Sequence, residues 1–191
     1  MVSIIRFIGI NSLIRPGHEL AEIQIGDGGD VSVESVRARL EPVCRTMDGV
    51  AISSVDSDPL SYPDLFRLLK DVRVPGLEVT LISQGGSPSN LDDLVGAGYV
   101  TFLDLVLDSP IDADQCGCLE VMRDNGRQFM VSITLRKGAF DEESLASTCR
   151  MFKDARHVVI RNGKGKDALS QKEMVSMTKP QKGLVKDLRI I

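Results

Sequence analysis

Hydrophobic positions along the chain switch repeatedly between two periods. Short apolar, β-branched runs occur at Ala21–Ile25, Gly49–Ser53, Leu77–Ile82, Val100–Leu107, Phe129–Leu135, His157–Ile160 and Leu188–Ile191. Runs of this length and content predict strands. Between them, Val33, Val36, Leu40, Val43 and Met47 fall at helical spacing, as do Leu65, Leu68, Leu69 and Val72, and later Leu145, Cys149 and Phe152. Such stripes predict amphipathic helices. Ser170-Gln-Lys-Glu173 reads as a capping box, Ser87-Pro88 as a cap followed by proline in the first turn, and Asp141 as another cap. Gly76, Gly98 and Gly126 stand where helices must stop before the next strand.

Strands alternating with helices at this spacing imply βαβ units, right-handed crossovers and a mainly parallel sheet. About six units fit, preceded by a hairpin from Val2–Gly9 that turns through Pro16–Gly17. The pattern alone leaves an open doubly wound sheet and a partial barrel as alternatives. No linker or low-complexity tract interrupts it, so residues 1–191 are expected to form a single α/β domain.

Composition narrows the setting. Of 191 residues 42% are hydrophobic and 26% charged, the balance of a globular chain. The formal net charge of -4, with both signs dispersed, gives no electrostatic reason for a nucleic-acid partner. No apolar run nears the roughly 20 residues that span a bilayer, and Met1–Ile10 lacks the charged start and cleavage site of a signal peptide. The expectation is a cytoplasmic chain with no membrane partner, whose cysteines (Cys44, Cys116, Cys118 and Cys149) are thiols.

Several segments carry a family likeness in their order and spacing. Ser12-Leu13-Ile14-Arg15-Pro16-Gly17 precedes the strand Ala21–Ile25. Asp48–Ser53 is followed by Asp58-Pro59-Leu60. Then come Pro63–Val72, Leu77–Ser83, Asn90–Gly98, Tyr99–Leu107, Val131–Leu135, Lys137-Gly138, Asp141-Glu142-Glu143 and the closing Leu188–Ile191. Over nearly its whole length the chain resembles the radical S-adenosylmethionine (radical SAM) activating enzymes of glycyl-radical enzymes and anaerobic ribonucleotide reductase. The resemblance implies a partial (βα)6 TIM-like barrel of radical SAM type with an N-terminal β-hairpin, its site at the C-terminal ends of the strands.

The departures bear on function. In the family, a loop after the first barrel strand carries C-x3-C-x2-C, whose thiolates hold a four-iron cluster that binds SAM. Here the strand ends at Ile25 and the chain runs Gly26-Asp27-Gly28-Gly29-Asp30 directly into the next helix, with no cysteine before Cys44. The family's Gly-Gly-Glu-Pro loop is replaced by Ser54-Val55-Asp56-Ser57-Asp58-Pro59, without the glycines that permit close backbone approach. Its Asp-x-Lys at the end of the fourth barrel strand reads Val106-Leu107-Asp108. No iron–sulfur cluster and no SAM are therefore expected as cofactors.

The four cysteines read as small hydrophobes on helices rather than as a metal site, Cys44, Cys118 and Cys149 lying beside apolar stripe residues. Asp104 alternates with Leu103 and Leu105; if the leucines meet the helices, Asp104 points into the barrel. With Asp56 and Asp58 at the mouth, it forms a candidate acid–base or cation-binding set, the alternative being that the rim aspartates only cap turns. Arg136, Lys137, Arg161, Lys164 and Lys166 form a candidate anion-binding set, the last three on a glycine-spaced loop read as flexible. His18 and His157 lack a nucleophile arrangement, and Ser53-Ser54 lacks a nucleophile elbow.

Family barrels are laterally open, which implies a protein partner at the open side. The leading expectation is a non-catalytic radical-SAM-like module binding a protein partner or a small anionic ligand. The alternative is an enzyme of other chemistry at the acidic and basic barrel mouth.

Overall fold

The computed structural model describes residues 2–191; Met1, at the head of the apolar N-terminal stretch, lies outside them. Strands β1 (Val2–Asn11) and β2 (Leu20–Asp27) make the N-terminal hairpin. They are followed by β3 (Gly49–Ser54), β4 (Glu78–Ser83), β5 (Phe102–Leu107), β6 (Gln128–Leu135), β7 (Val158–Asn162) and β8 (Leu188–Ile190). Pairing is parallel from β2 onward. Between the parallel strands lie α1 (Val33–Leu40), α2 (Leu65–Val72), α3 (Pro88–Gly96), α4 (Ala113–Asp124), α5 (Glu142–Arg150) and α6 (Gln171–Thr178).

Strand order in the sheet is the order in the chain. A right-handed crossover that always advances one strand in the same direction puts every helix on one face. The sheet then curls with its other face inward, which decides between the alternatives left by the pattern. Strands β1 and β8 are the two edges and do not pair, so the sheet is a partial (βα)6 barrel open along one side.

The pleat separates two interiors. Leu103, Leu105 and Leu107, with Phe129, Val131, Ile133 and Leu135, pack against the helices in the main core. Each such leucine contributes about 2 kcal/mol by leaving water. The intervening residues form small clusters on the concave face: Phe102, Met130 and Val159 in one, and Ile14, Leu20 and Ala51 in another. Arg15, from the hairpin turn, closes the lower end. Its guanidinium lies 3.7 Å from the Phe102 ring centroid and pairs with Glu78 at 2.5 Å.

Local signals act where the sequence places them. Ser87 accepts from the Asn90 amide, Asp141 and Ser144 make a reciprocal cap, and so do Ser170 and Glu173. Gly98 and Gly126 end α3 and α4 at positive φ. The first helix is shorter than its stripe: α1 ends at Leu40, and Val43 and Met47 reach the core from turns. Pro42 has no N–H to continue the ladder. Cys44 accordingly sits in those turns rather than in the helix, half-buried, its thiol donating to the Glu41 carbonyl at 3.1 Å.

After β2 the chain folds back onto β1. The Ser3 hydroxyl donates to the Gly26 carbonyl at 3.1 Å and accepts from the Gly29 amide at 2.7 Å. The Val31 amide then reaches the Ile4 carbonyl at 3.2 Å. A Cβ at Gly29 would overlap that same carbonyl. Gly29→Ala should therefore lower unfolding stability by about 1–3 kcal/mol in a urea titration, whereas a loss under about 0.5 kcal/mol would mean that the loop lifts off β1 freely.

Candidate functional site

The concave face carries a polar layer because the residues alternating with the core-facing ones on several strands are polar. These are Glu22 and Gln24 on β2, Ser53 on β3, Thr80 on β4, Asp104 on β5, Ser132 and Thr134 on β6, and Arg161 on β7. Asp104 is 3% exposed, with Leu103 and Leu105 facing the helices, so it lies inside the barrel as the alternation predicts.

Part of this layer satisfies itself. The Glu22 carboxylate accepts from Asn11 Nδ2 at 3.1 Å, Ser53 Oγ at 3.2 Å and Gln24 Nε2 at 3.3 Å. The remainder does not. Gln24 Oε1, Thr80 Oγ1, Asp104 Oδ1 and Ser132 Oγ are buried with no hydrogen-bond partner. Native chains seldom tolerate such atoms, each costing about 1–3 kcal/mol when nothing fills the gap.

Burial pushes the Asp104 carboxyl up to about 7. The neighbouring Ser132 hydroxyl and the Arg161 guanidinium oppose that rise without cancelling it, the hydroxyl standing close but outside good hydrogen-bond geometry. Asp104 is thus a carboxyl that changes charge near neutrality inside a low-dielectric cavity.

Above this layer, at the C-terminal ends of β3, β4 and β5, opens a pocket of about 290 Å³. Its walls include Ser53, Ser54, Ile82, Ser83, Gln84 and Val106. Three of these are the in-register neighbours of unpartnered residues: Ser53 of Gln24, Ile82 of Asp104, and Val106 of Ser132. The mouth and the unsatisfied atoms therefore form one continuous site.

The predicted rim aspartates Asp56 and Asp58 line this pocket as well, and both also hold backbone groups. Asp58 Oδ1 accepts from the Leu60 amide at 3.1 Å and Ser83 Oγ at 2.6 Å, and its Oδ2 from the Gly86 amide at 2.8 Å. Asp56 accepts from the Asp27 amide at 3.1 Å. Both carboxylates tie neighbouring loops together. The basic set also divides. Arg161 acts on Asp104, Arg136 pairs with Asp108 at 3.5 Å across the rim, and Lys137, Lys164 and Lys166 are exposed. The loop holding the last two is pinned rather than free. Asn162 exchanges two hydrogen bonds with the Leu169 backbone, at 2.8 and 2.9 Å, and the Lys137 amide donates to the Asp167 carbonyl.

Gln24, Thr80 and Ser132 belong to no motif, each standing in a short strand among apolar residues with at most one polar residue two positions away. Aligning the strands by their alternation would have brought them to one face with Asp104. Gly85-Gly86 after β4 also escaped notice. Gly85 has φ +81, and a Cβ there would press on Leu105 and Gln115, while Gly86 receives Asp58.

The residues do not fit a three-cysteine cluster. Cys118 and Cys149 are buried in the helical layer, and burial drives their thiols up to about 12 and about 11. Burial and the nearby carboxylates of Glu120 and Asp112 also raise the Cys116 thiol. A cluster needs thiolates converging on one point, and these cysteines are spread over the α1–β3 turns, α4 and α5. Among the described residues no group of three or more His, Cys, Asp or Glu could hold a metal ion. The segment after β2, where the cluster loop belongs in the resemblance, is stitched to β1.

No protein-family model matches the chain, and no curated protein matches it by sequence. Its fold is similar to solved structures. A radical SAM methyltransferase from Sphaerobacter thermophilus superposes with TM-score 0.66 at 11% identity, covering 93% of this chain and 67% of that one. Streptococcus suis SuiB bound to the precursor peptide SuiA gives TM-score 0.59 at 13% identity, covering 87% and 43%. Archaeal TYW1 gives 0.52 at 15%, covering 86% and 72%. The chain thus spans two thirds or less of the first two. The likeness establishes a radical-SAM-type fold with its N-terminal hairpin.

The buried carboxyl sets a pH dependence. Its folded-state value is raised above the ordinary 3.8, so its contribution to stability is complete below about pH 3.8 and is lost as pH rises through about 7. Between pH 5 and pH 8 the wild type should lose roughly 2–3 kcal/mol more than Asp104→Asn, read from urea unfolding at both pH values. Parallel curves would show that Asp104 ionises without penalty.

Proposed function

We propose that the chain is a non-catalytic radical-SAM-like binding module, which holds a small polar ligand in the barrel mouth and presents its open side to a protein partner. The observation that carries the ligand reading is the set of four unpartnered buried polar atoms beneath the mouth pocket. A ligand with both donors and acceptors would satisfy Gln24, Asp104 and Ser132 together, and Arg161 favours one that also bears negative charge. Loss of the radical chemistry is supported by the donor set, since the cysteines are scattered over separate elements.

The enzyme alternative asked for three converging carboxylates. Two of them, Asp56 and Asp58, are spent on backbone amides and Ser83, which leaves Asp104 without an acid–base partner. Binding is the reading that fits a lone, titratable carboxyl among neutral groups.

The partner reading is supported by the two unpaired edges. Ile8 and Ile10 on β1 are 44% and 52% exposed, and Ile190 at the end of β8 is 43% exposed. Apolar side chains along unpaired edges are a usual site of association.

Two tests follow. A thermal-shift screen of polar and anionic metabolites should find a compound that raises the wild-type midpoint and leaves those of Asp104→Asn and Ser132→Ala unmoved. If no compound acts and high-resolution diffraction finds only ordered water on these atoms, the ligand reading is wrong. Ile8→Lys combined with Ile10→Lys should keep the wild-type melting midpoint while abolishing binding to a purified partner, and undiminished binding would exclude the open edge.

A further inference from the structure

At the opposite end of the barrel, about 630 Å³ of open cleft lies among the segments that lead into β6, β7 and β8. Four cations, Arg123, Arg127, Arg156 and Lys186, and two carboxylates, Asp154 and Asp187, line it. The placement follows from topology. Arg127 immediately precedes β6, Arg156 stands two residues before β7, and Lys186 two before β8. Adjacent parallel strands begin about 5 Å apart, so cations before consecutive strands gather on one rim.

Both carboxylates are already engaged. Asp154 receives a bidentate pair from Arg123, Nε at 2.7 Å and Nη2 at 2.8 Å, and this hydrogen bonding holds its carboxyl below the usual range. Asp187 accepts from His157 Nδ1 at 2.6 Å and from Arg189 at 3.2 Å, which lower it likewise. An ionised Asp187 can only accept, so Nδ1 of His157 carries the proton. Among the described residues, Arg127, Arg156 and Lys186 have no carboxylate partner. A chain whose formal net charge is -4 thus concentrates uncompensated positive charge in one cleft.

We infer that this cleft at the N-terminal ends of β6–β8 is a second binding site, which takes the phosphate group of a small phosphorylated molecule on Arg127, Arg156 and Lys186. Guanidinium forks match the oxygens of a phosphate in pairs, and lysine adds a point charge. The volume falls in the range that encloses small ligands. The paired carboxylates set the walls: Asp154 fixes Arg123 beside Phe129, where its guanidinium lies 5.4 Å from the ring centroid, and Asp187 fixes His157.

The site is independent of the barrel mouth, and the experiment separates the two. Inorganic phosphate is titrated calorimetrically into the wild type at low ionic strength, with sodium chloride of equal ionic strength as reference. Arg127→Gln/Arg156→Gln/Lys186→Gln, all exposed positions, should bind phosphate on the order of tenfold more weakly or worse with an unchanged melting midpoint in chloride. Lys164→Gln/Lys166→Gln, at the other end, should bind as the wild type does. Phosphate heat no greater than that of chloride would overturn the assignment, as would wild-type affinity in the triple variant. Salt-dependent binding of a DNA or RNA duplex that the same three substitutions remove would overturn it in favour of a polyanion surface.

Discussion

The two-residue pleat of the parallel strands is the constraint from which the rest of the molecule follows. Every strand from β2 to β7 must send alternate side chains to the helices and to the concave face. The helical side takes leucine, isoleucine, valine and phenylalanine with little exception. The other face is therefore free to be polar, and it is. A polar group placed there is still buried, because Phe102, Met130 and Val159 fill the space below it and Arg15 closes the end. The unsatisfied atoms of Gln24, Thr80, Asp104 and Ser132 are the direct result of that geometry. Ordered water or a bound polar molecule in the mouth above them would supply the missing hydrogen bonds.

The loops divide the chemistry between the two ends of the barrel. At the C-terminal end, carboxylates close loops: Asp58 joins the β3 loop to Ser83 and Gly86, and Asp56 reaches the end of β2. Below them burial holds the Asp104 carboxyl near neutrality. At the N-terminal end the reverse holds. The carboxylates there are each neutralised by a partner, and three cations are left over. The leftover cations make the base electropositive, and at the mouth Arg161 stands close enough to Asp104 to oppose the rise of its carboxyl.

The turn after β2 is closed by the chain itself. The Gly26–Val31 segment lies on β1 through the Ser3 hydroxyl and the Ile4 carbonyl, and Gly29 has no room for a side chain. The connection from β2 to α1 is thereby held by hydrogen bonds against the N-terminal strand.

The order of strands and helices, the caps at Ser87, Asp141 and Ser170, and the inward direction of Asp104 were all determined by local sequence. Each depends on periodicity or on hydrogen bonds spanning a few residues. The core reading of Cys118 and Cys149 was legible for the same reason, whereas Cys44 was misplaced because Pro42 ends the helix inside an apolar stripe that continues past it. Partners distant along the chain were not legible. That Asp58 clamps Ser83 and Gly86, 25 and 28 residues away, is a property of the folded loops. Gln24, Thr80 and Ser132 join Asp104 only when four strands curl around a common axis, and Arg127, Arg156 and Lys186 meet only because parallel strands start on the same rim. Alternation told each side chain which face to take. Only the closure of the sheet decided which of them share a cavity, because burial and loss of hydrogen-bond partners are properties of the packed barrel and of no single segment.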